Sequence, residues 1–153
     1  MKIRIKRFDK ELPLPQFDES DPKTGERYDS EQVAAFDLFC RESVTIPPHS
    51  VRLVAINNVI ETPPGHFLLL CARSGTPWKK GLMLANGIGV ADPFYSGDAD
   101  ELKIQLFNYT DKPVEVSKGE TLVQGMIIKR EPVEWLEVNT MGRDGHGGYK
   151  TTS

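Results

Sequence analysis

The sequence predicts an all-β domain, a sandwich or jelly roll of short strands, and three observations carry that expectation. The chain holds 13 glycines and 11 prolines in 153 residues, a density of turn-makers that suits many short elements better than a helical bundle. Apolar runs recur at intervals of roughly 8–12 residues, each closed by a Pro- or Gly-containing turn. No window longer than about ten residues keeps a 3.6-residue apolar period.

The elements follow in order. Ile3 to Arg7 alternates apolar and basic residues, the pattern of a half-buried strand. From Asp9 to Glu31 the chain is polar and acidic, with Pro13, Pro15 and Pro22, and reads as a loop or surface arm. Val44-Thr45-Ile46 ends at Pro47-Pro48, and a run from Val51 to Ile60 ends at Thr62-Pro63-Pro64-Gly65. His66 to Ala72 stops at Ser74-Gly75-Thr76-Pro77. Thr76 to Lys80 is the best place for one helical turn, with Pro77 at its first position. Two glycines among apolar residues between Leu84 and Gly97 suggest a hairpin whose backbone lies close to something. Leu102 to Tyr109 stops near Asp111-Lys112-Pro113, and Thr121 to Lys129 follows the turn Ser117-Lys118-Gly119-Glu120. The stretch from Asn139 to Ser153 has four glycines, one aromatic residue and no aliphatic beyond Met141. It cannot form a core and is expected to be mobile. The expected division is therefore a β domain over 1–138 and a flexible Gly-rich tail over 139–153.

Composition bounds the partners. A chain of this length is most simply one domain, able to bury roughly 70% of its unfolded surface. Nineteen Lys and Arg face 22 Asp and Glu, for a net charge of −3 and a pI near 5.6. Apart from Lys2, Arg4, Lys6 and Arg7 the basic residues are dispersed, so no nucleic-acid partner is expected. Cys40 and Cys71 are too few for a disulfide framework, and both sit in apolar runs, as buried free thiols do. No segment approaches 18 apolar residues, and no apolar stretch follows the N-terminal charges. The expectation is a cytoplasmic protein without a membrane partner.

Three segments offer chemistry. Arg73-Ser74-Gly75 stands where an apolar strand ends; a charged fork, a hydroxyl and an unobstructed backbone N–H together suit phosphate oxygens. An exposed turn beside an arginine is the plainer account. Asp92 sits in apolar company between Ala91 and Pro93, either as a general base on water or as the cap of its own turn. The segment Arg143-Asp144-Gly145-His146-Gly147-Gly148-Tyr149 combines charge, backbone donors and a flat ring, which suits a lid over an anionic ligand; a disordered terminus is the alternative. The three histidines are scattered and no metal-ligand spacing is present. Trp78 and Trp135 read as packing residues.

Taken together and in order, these segments resemble the homotrimeric dUTPase family. Ala34-Ala35-Phe36-Asp37-Leu38 is similar to its first motif, Arg73-Ser74-Gly75 to the second, and Gly89-Val90-Ala91-Asp92 through Tyr95 and Gly97 to the third. Gly119-Glu120-Thr121-Leu122-Val123-Gln124 is similar to the fourth motif, and the Gly-rich tail with Tyr149 to the fifth. The resemblance implies a distorted jelly roll (a β-clip fold) with at most one short helix, assembled as a homotrimer with active sites shared between subunits. It also implies Mg²⁺-assisted hydrolysis of dUTP to dUMP and pyrophosphate. By position, Asp92 would activate the attacking water. Asn86, Gly89, Val90, Ala91 and Lys103 would line the uracil pocket, and Tyr95 would pack on the deoxyribose. Arg73, Ser74, Gly75 and Gln124 would hold phosphates from a neighbouring subunit, Arg143 would reach the γ-phosphate, and Tyr149 would cover the uracil. Asp37 would act near the metal through water, with no direct protein ligand.

The chain departs from the family pattern in places. Ala35 and Phe36 replace Gly and Tyr, Ala91 replaces a larger aliphatic, Asp98-Ala99-Asp100 lengthens one loop, Asp144 is an extra tail residue and Lys150 replaces Gly. Two alternatives share the trimeric plan. A dCTP deaminase would continue the second motif differently from Thr76-Pro77-Trp78, and a silent regulatory binding protein would have lost Asp92, Arg73 or Gln124.

Overall fold

Among the described residues, eleven strands and one helical turn form where alternation, β-branched residues and turn signals agree. The computed structural model describes residues 1–17, 19–21, 23–29 and 31–145. In order come β1 (Arg4–Arg7), β2 (Phe36–Phe39), β3 (Val44–Ile46), β4 (Val51–Ala55), β5 (Asn58–Glu61) and β6 (His66–Ala72). The helical turn Thr76–Lys80 follows, then β7 (Leu82–Leu84), β8 (Gly89–Ala91), β9 (Lys103–Asn108), β10 (Val114–Val116) and β11 (Thr121–Lys129).

The largest sheet runs β2-β11-β6-β8, faced by a three-stranded sheet β4-β9-β7, with β1-β5 and β10-β3 as two-stranded ribbons. All pairings are antiparallel. Leu38, Leu68 and Val123 from the first sheet meet Val54, Leu82 and Leu106 from the second, all fully buried. This is the distorted jelly roll expected, and its one helical turn is where Pro77 places it.

Four local readings are corrected. The run from Val51 to Ile60 is two strands in different sheets, because Asn57 adopts φ 68° and exchanges two side-chain bonds with the Asp9 backbone at 2.7 and 2.9 Å. Leu84 to Gly97 is not a hairpin: β7 pairs with β9 and β8 with β6, so the Asn86-Gly87 turn joins two sheets. β1 is mostly exposed rather than half-buried, since it pairs only with β5 and only Ile3 beside it packs on the core. Cys40 is buried, and desolvation pushes its thiol up to about 12, but Cys71 is only partly covered.

β11 lies between β2 and β6, and Gly125 is level with both Phe36 and Leu70. A Cβ there would stand 2.6 Å from Phe36 Cε2 and 3.2 Å from Leu68 Cδ1. The Phe36 ring is itself held edge-on by Phe17, with centroids 5.5 Å apart. Gly125→Ala is therefore expected to destabilise the fold by about 1–3 kcal/mol through overpacking. A urea midpoint equal to that of the parent protein would show that the ring swings aside at no cost.

Candidate functional site

The site begins with the period-2 alternation of the four-stranded sheet. Gln124 on β11 is level with Asp37 on β2 and Cys71 on β6, and side chains directly opposite share a face. Val123 and Leu38 point inward to the core, so Asp37 and Gln124 open on the outer face. Arg73 follows Cys71 by two residues and takes the same side. Its Nη1 lies 3.0 Å from Asp37 Oδ2 and donates to Thr121 Oγ1 at 2.5 Å, which fixes one corner of a five-donor fork. The main chain is pinned as well: Arg73 N–H donates to Leu122 O at 3.0 Å, and Thr76 N–H to Arg73 O at 2.9 Å. The buried Thr76 hydroxyl donates to Leu122 O at 2.6 Å.

Arg73, Ser74, Gly75 and Gln124 line one open cleft of about 610 Å³. The sequence brings these four residues forward, and the fold puts them together. It also adds residues that spacing did not reveal. Trp78, Lys79 and Lys80 from the helical turn and Glu19 are among them, beside Glu120 and Thr121 of the fourth motif. Trp78 is 88% exposed and Trp135 is 90% exposed, so neither is the packing residue expected. Lys80 is paired with Glu120 at 2.9 Å. A basic pair four residues after a strand-end Arg-Ser-Gly was the available signal for Lys79 and Lys80.

The second group lies on β8 and the loop after it. Asn86 and Gly87 occupy an exposed turn, closed by Gly87 N–H to Leu84 O at 3.0 Å, with φ 74° at Gly87. Gly89 passes so close to β6 that a Cβ would sit 3.1 Å from Leu70 Cβ, so that glycine serves strand packing. Val90 is level with Leu69 and is 58% exposed. Asp92 is exposed; its main-chain oxygen accepts Tyr95 N–H at 3.0 Å, while its carboxylate has no partner among the described residues. The turn is closed by backbone, so the capping account of Asp92 is not what the structure contains. Tyr95 donates its phenol to Glu101 O at 3.3 Å, and Lys103 opens β9 with an exposed side chain.

The two groups are not adjacent within one chain. Ala91 is level with Leu68 on β6, five residues before Arg73, or roughly 16 Å at strand rise. Arg143 is exposed and makes no hydrogen bond or ion pair with either group among the described residues, and Tyr149 lies outside those residues. Among the described residues no cluster of three His, Cys, Asp or Glu side chains could hold a metal by itself.

The structure thus combines an all-β fold, a strand-end Arg-Ser-Gly cleft and a separate carboxylate-bearing loop. A model of the dUTPase family matches residues 23–151, and the chain belongs to that family. It is 32% identical to the deoxyuridine 5'-triphosphate nucleotidohydrolase of Helicobacter pylori strain P12, over 99% of this chain and 97% of the relative. The Corynebacterium diphtheriae protein of the same name is 36% identical over 98% and 91%. Among solved structures, dUTPase from Streptococcus mutans superposes with a TM-score of 0.71 at 25% identity, covering 86% and 98% of the two chains. A mutant dUTPase from phage phi11 of S. aureus, which coordinates a structural Mg(II) ion, shares the fold with a TM-score of 0.74 at 17% identity, over 94% and 100%.

Proposed function

We propose that this chain hydrolyses dUTP to dUMP and pyrophosphate. A water oxygen bonds to the α-phosphorus, the bond from that phosphorus to the bridging oxygen breaks, and pyrophosphate leaves with that oxygen. The water's proton passes to the Asp92 carboxylate, which suits the task because it is exposed and engaged by no other side chain among the described residues. Asn86, Gly89, Val90, Ala91 and Lys103 form the uracil pocket, where fixed backbone groups read the base edge. Tyr95 packs on the deoxyribose and leaves no room for a 2′-hydroxyl.

Arg73, Ser74, Gly75 and Gln124 bind the phosphates, and their gathering around one cleft in a member of the dUTPase family is the observation that carries the reading. The separation of that cleft from Asp92 along β6 favours a homotrimer in which one subunit supplies the base and sugar contacts and its neighbour the phosphate contacts. Residues 1–138 act as the body and 139–153 as a lid, with Arg143 at the γ-phosphate and Tyr149 over the uracil. No helix among the described residues is long and apolar enough to cross a membrane; a cytoplasmic enzyme acting on the nucleotide pool, without nucleic-acid or membrane partners, fits the chain.

The donor set fits Mg²⁺ on specific grounds. That ion prefers oxygen, keeps several waters and is held largely by substrate phosphates, so a site with few protein carboxylates is no obstacle. Asp37 is already engaged by Arg73 and would act on the ion only through water. When bound, the ion neutralises charge that develops on the leaving pyrophosphate.

Incubating the protein with each deoxynucleotide and Mg²⁺, with pyrophosphate and ammonia both assayed, tests the reading. Pyrophosphate from dUTP alone is expected. Ammonia from dCTP would instead mark a deaminase, and no turnover with tight nucleotide binding would mark a silent regulator.

A further inference from the structure

The loop that carries Tyr95 is closed by a charge pair, a buried carboxylate and a part-exposed guanidinium, that the proposed reaction leaves without a role. Glu101 is 5% exposed, and a carboxylate at that depth is stable only when its lone pairs are occupied. Its Oε1 accepts Arg41 Nε–H at 2.6 Å and its Oε2 accepts Arg41 Nη2–H at 3.0 Å, the two-bond fork that suits guanidinium. Asn57 N–H adds a third bond to Oε1 at 3.1 Å. The β2–β3 turn, the break between β4 and β5 and the lengthened loop before β9 therefore meet at one carboxylate.

The Glu101 backbone holds Tyr95 in turn. Its carbonyl accepts the Tyr95 phenol at 3.3 Å. The loop between them is closed by Gly97 N–H to Asp100 Oδ2 at 2.8 Å and by Asp100 N–H to Gly97 O at 3.0 Å. Lys6 ties the loop to β1 through Asp98, at 2.7 Å to its carbonyl and 3.1 Å to its carboxylate.

We infer that the Arg41–Glu101 pair positions Tyr95 for sugar selection, so that discrimination against a 2′-hydroxyl depends on a residue that does not touch the substrate. This rests on the reading of the chain as a dUTP hydrolase with Tyr95 at the deoxyribose. Excluding a single hydroxyl requires a wall that stays in place. Tyr95 is 39% exposed, and its ring is anchored through the Glu101 carbonyl. Glu101 is a positioning residue, and the lengthened loop that ends in it is part of the device.

Two variants test this. Glu101→Gln keeps shape and one acceptor but removes the charge that holds Arg41; Tyr95→Phe removes only the phenol–carbonyl bond on an exposed loop. The ratio of kcat/KM for UTP to that for dUTP is expected to rise about tenfold in Glu101→Gln. It should rise about fivefold in Tyr95→Phe. In the double variant the rise should fall short of the product, because both changes act through one bond. Amide hydrogen exchange over residues 92–101 in the free protein should quicken in Glu101→Gln, a reading that needs no substrate.

Equal loss of dUTP and UTP turnover, unchanged selectivity in Tyr95→Phe, or unchanged exchange in a folded Glu101→Gln each overturns the inference. Should Glu101→Gln not fold, Arg41→Lys, which keeps the charge but loses the two-bond fork, takes its place in both measurements. Absence of dUTP turnover in the parent protein would be seen before any variant is compared; it overturns the proposed function and the sugar selection with it, while exchange still reports on the loop.

Discussion

Replacing Asp92 with Asn is expected to cut turnover of dUTP by about 10²–10⁴-fold, the range that a positioned general base supplies. Asparagine keeps the size and one acceptor oxygen but cannot take a proton from water at neutral pH. The change should leave folding almost untouched. Asp92 is exposed, its turn is closed through its main-chain oxygen, and exposed substitutions of this kind usually stay within about 0.5 kcal/mol. Binding of a non-hydrolysable dUTP analogue should stay within a few-fold of the parent, about one kcal/mol or less. Single-turnover rates beside an analogue titration make the measurement. Normal turnover in Asp92→Asn would remove Asp92 as the base.

Replacing Arg73 with Ala should be nearly as damaging, for a double reason. It removes a charged fork from the cleft proposed to hold the phosphates, an interaction of a kind typically worth about 10²–10³ in rate. It also leaves Asp37, whose side chain is only 13% exposed, without its guanidinium, so stability should fall as well. The two variants together test the shared site. Within one chain the Asp92 loop and Arg73 stand far apart along β6, so a site that needs both takes them from different subunits. Mixing Asp92→Asn and Arg73→Ala chains after joint refolding should restore activity, with about one site in four receiving both parent residues if assembly is random. No recovery from two folded, co-assembled variants would show that each site lies within one subunit.

Much of the fold was legible because its signals are local. β6 and β11 begin and end where the turn chemistry places them, at Ser74-Gly75 and at Ser117 to Glu120, and Pro77 marks the helical turn. Other elements were not legible. Val51 to Ile60 looks like one continuous strand in a hydrophobicity pattern, and only the bonds between Asn57 and Asp9 explain why the chain breaks there. Leu84 to Gly97 looks like a hairpin because glycines and apolar residues alternate, yet β9 and β6 offer the longer partners.

The site divides the same way. Arg73, Ser74, Gly75 and Asp92 could be named from residue type and order, and Gln124 and Tyr95 through the family resemblance. The Arg73–Asp37 pair across β11 could not, nor could Thr121 as a partner of the same guanidinium. The Glu101 carboxylate had no sequence signal at all: it sits among acidic residues in a loop, and its partner Arg41 is 60 residues away.

By itself, then, the sequence determined the strand-rich class, the punctuation of the strands and the chemical groups available, since each depends on neighbours within a few residues. Only the tertiary structure decided which strands share a sheet, which charge meets which, and that the Asp92 loop and the Arg73 cleft lie towards opposite ends of β6. Those outcomes depend on pairing between distant segments, where burial presses most polar groups to find a partner that spacing along the chain does not name.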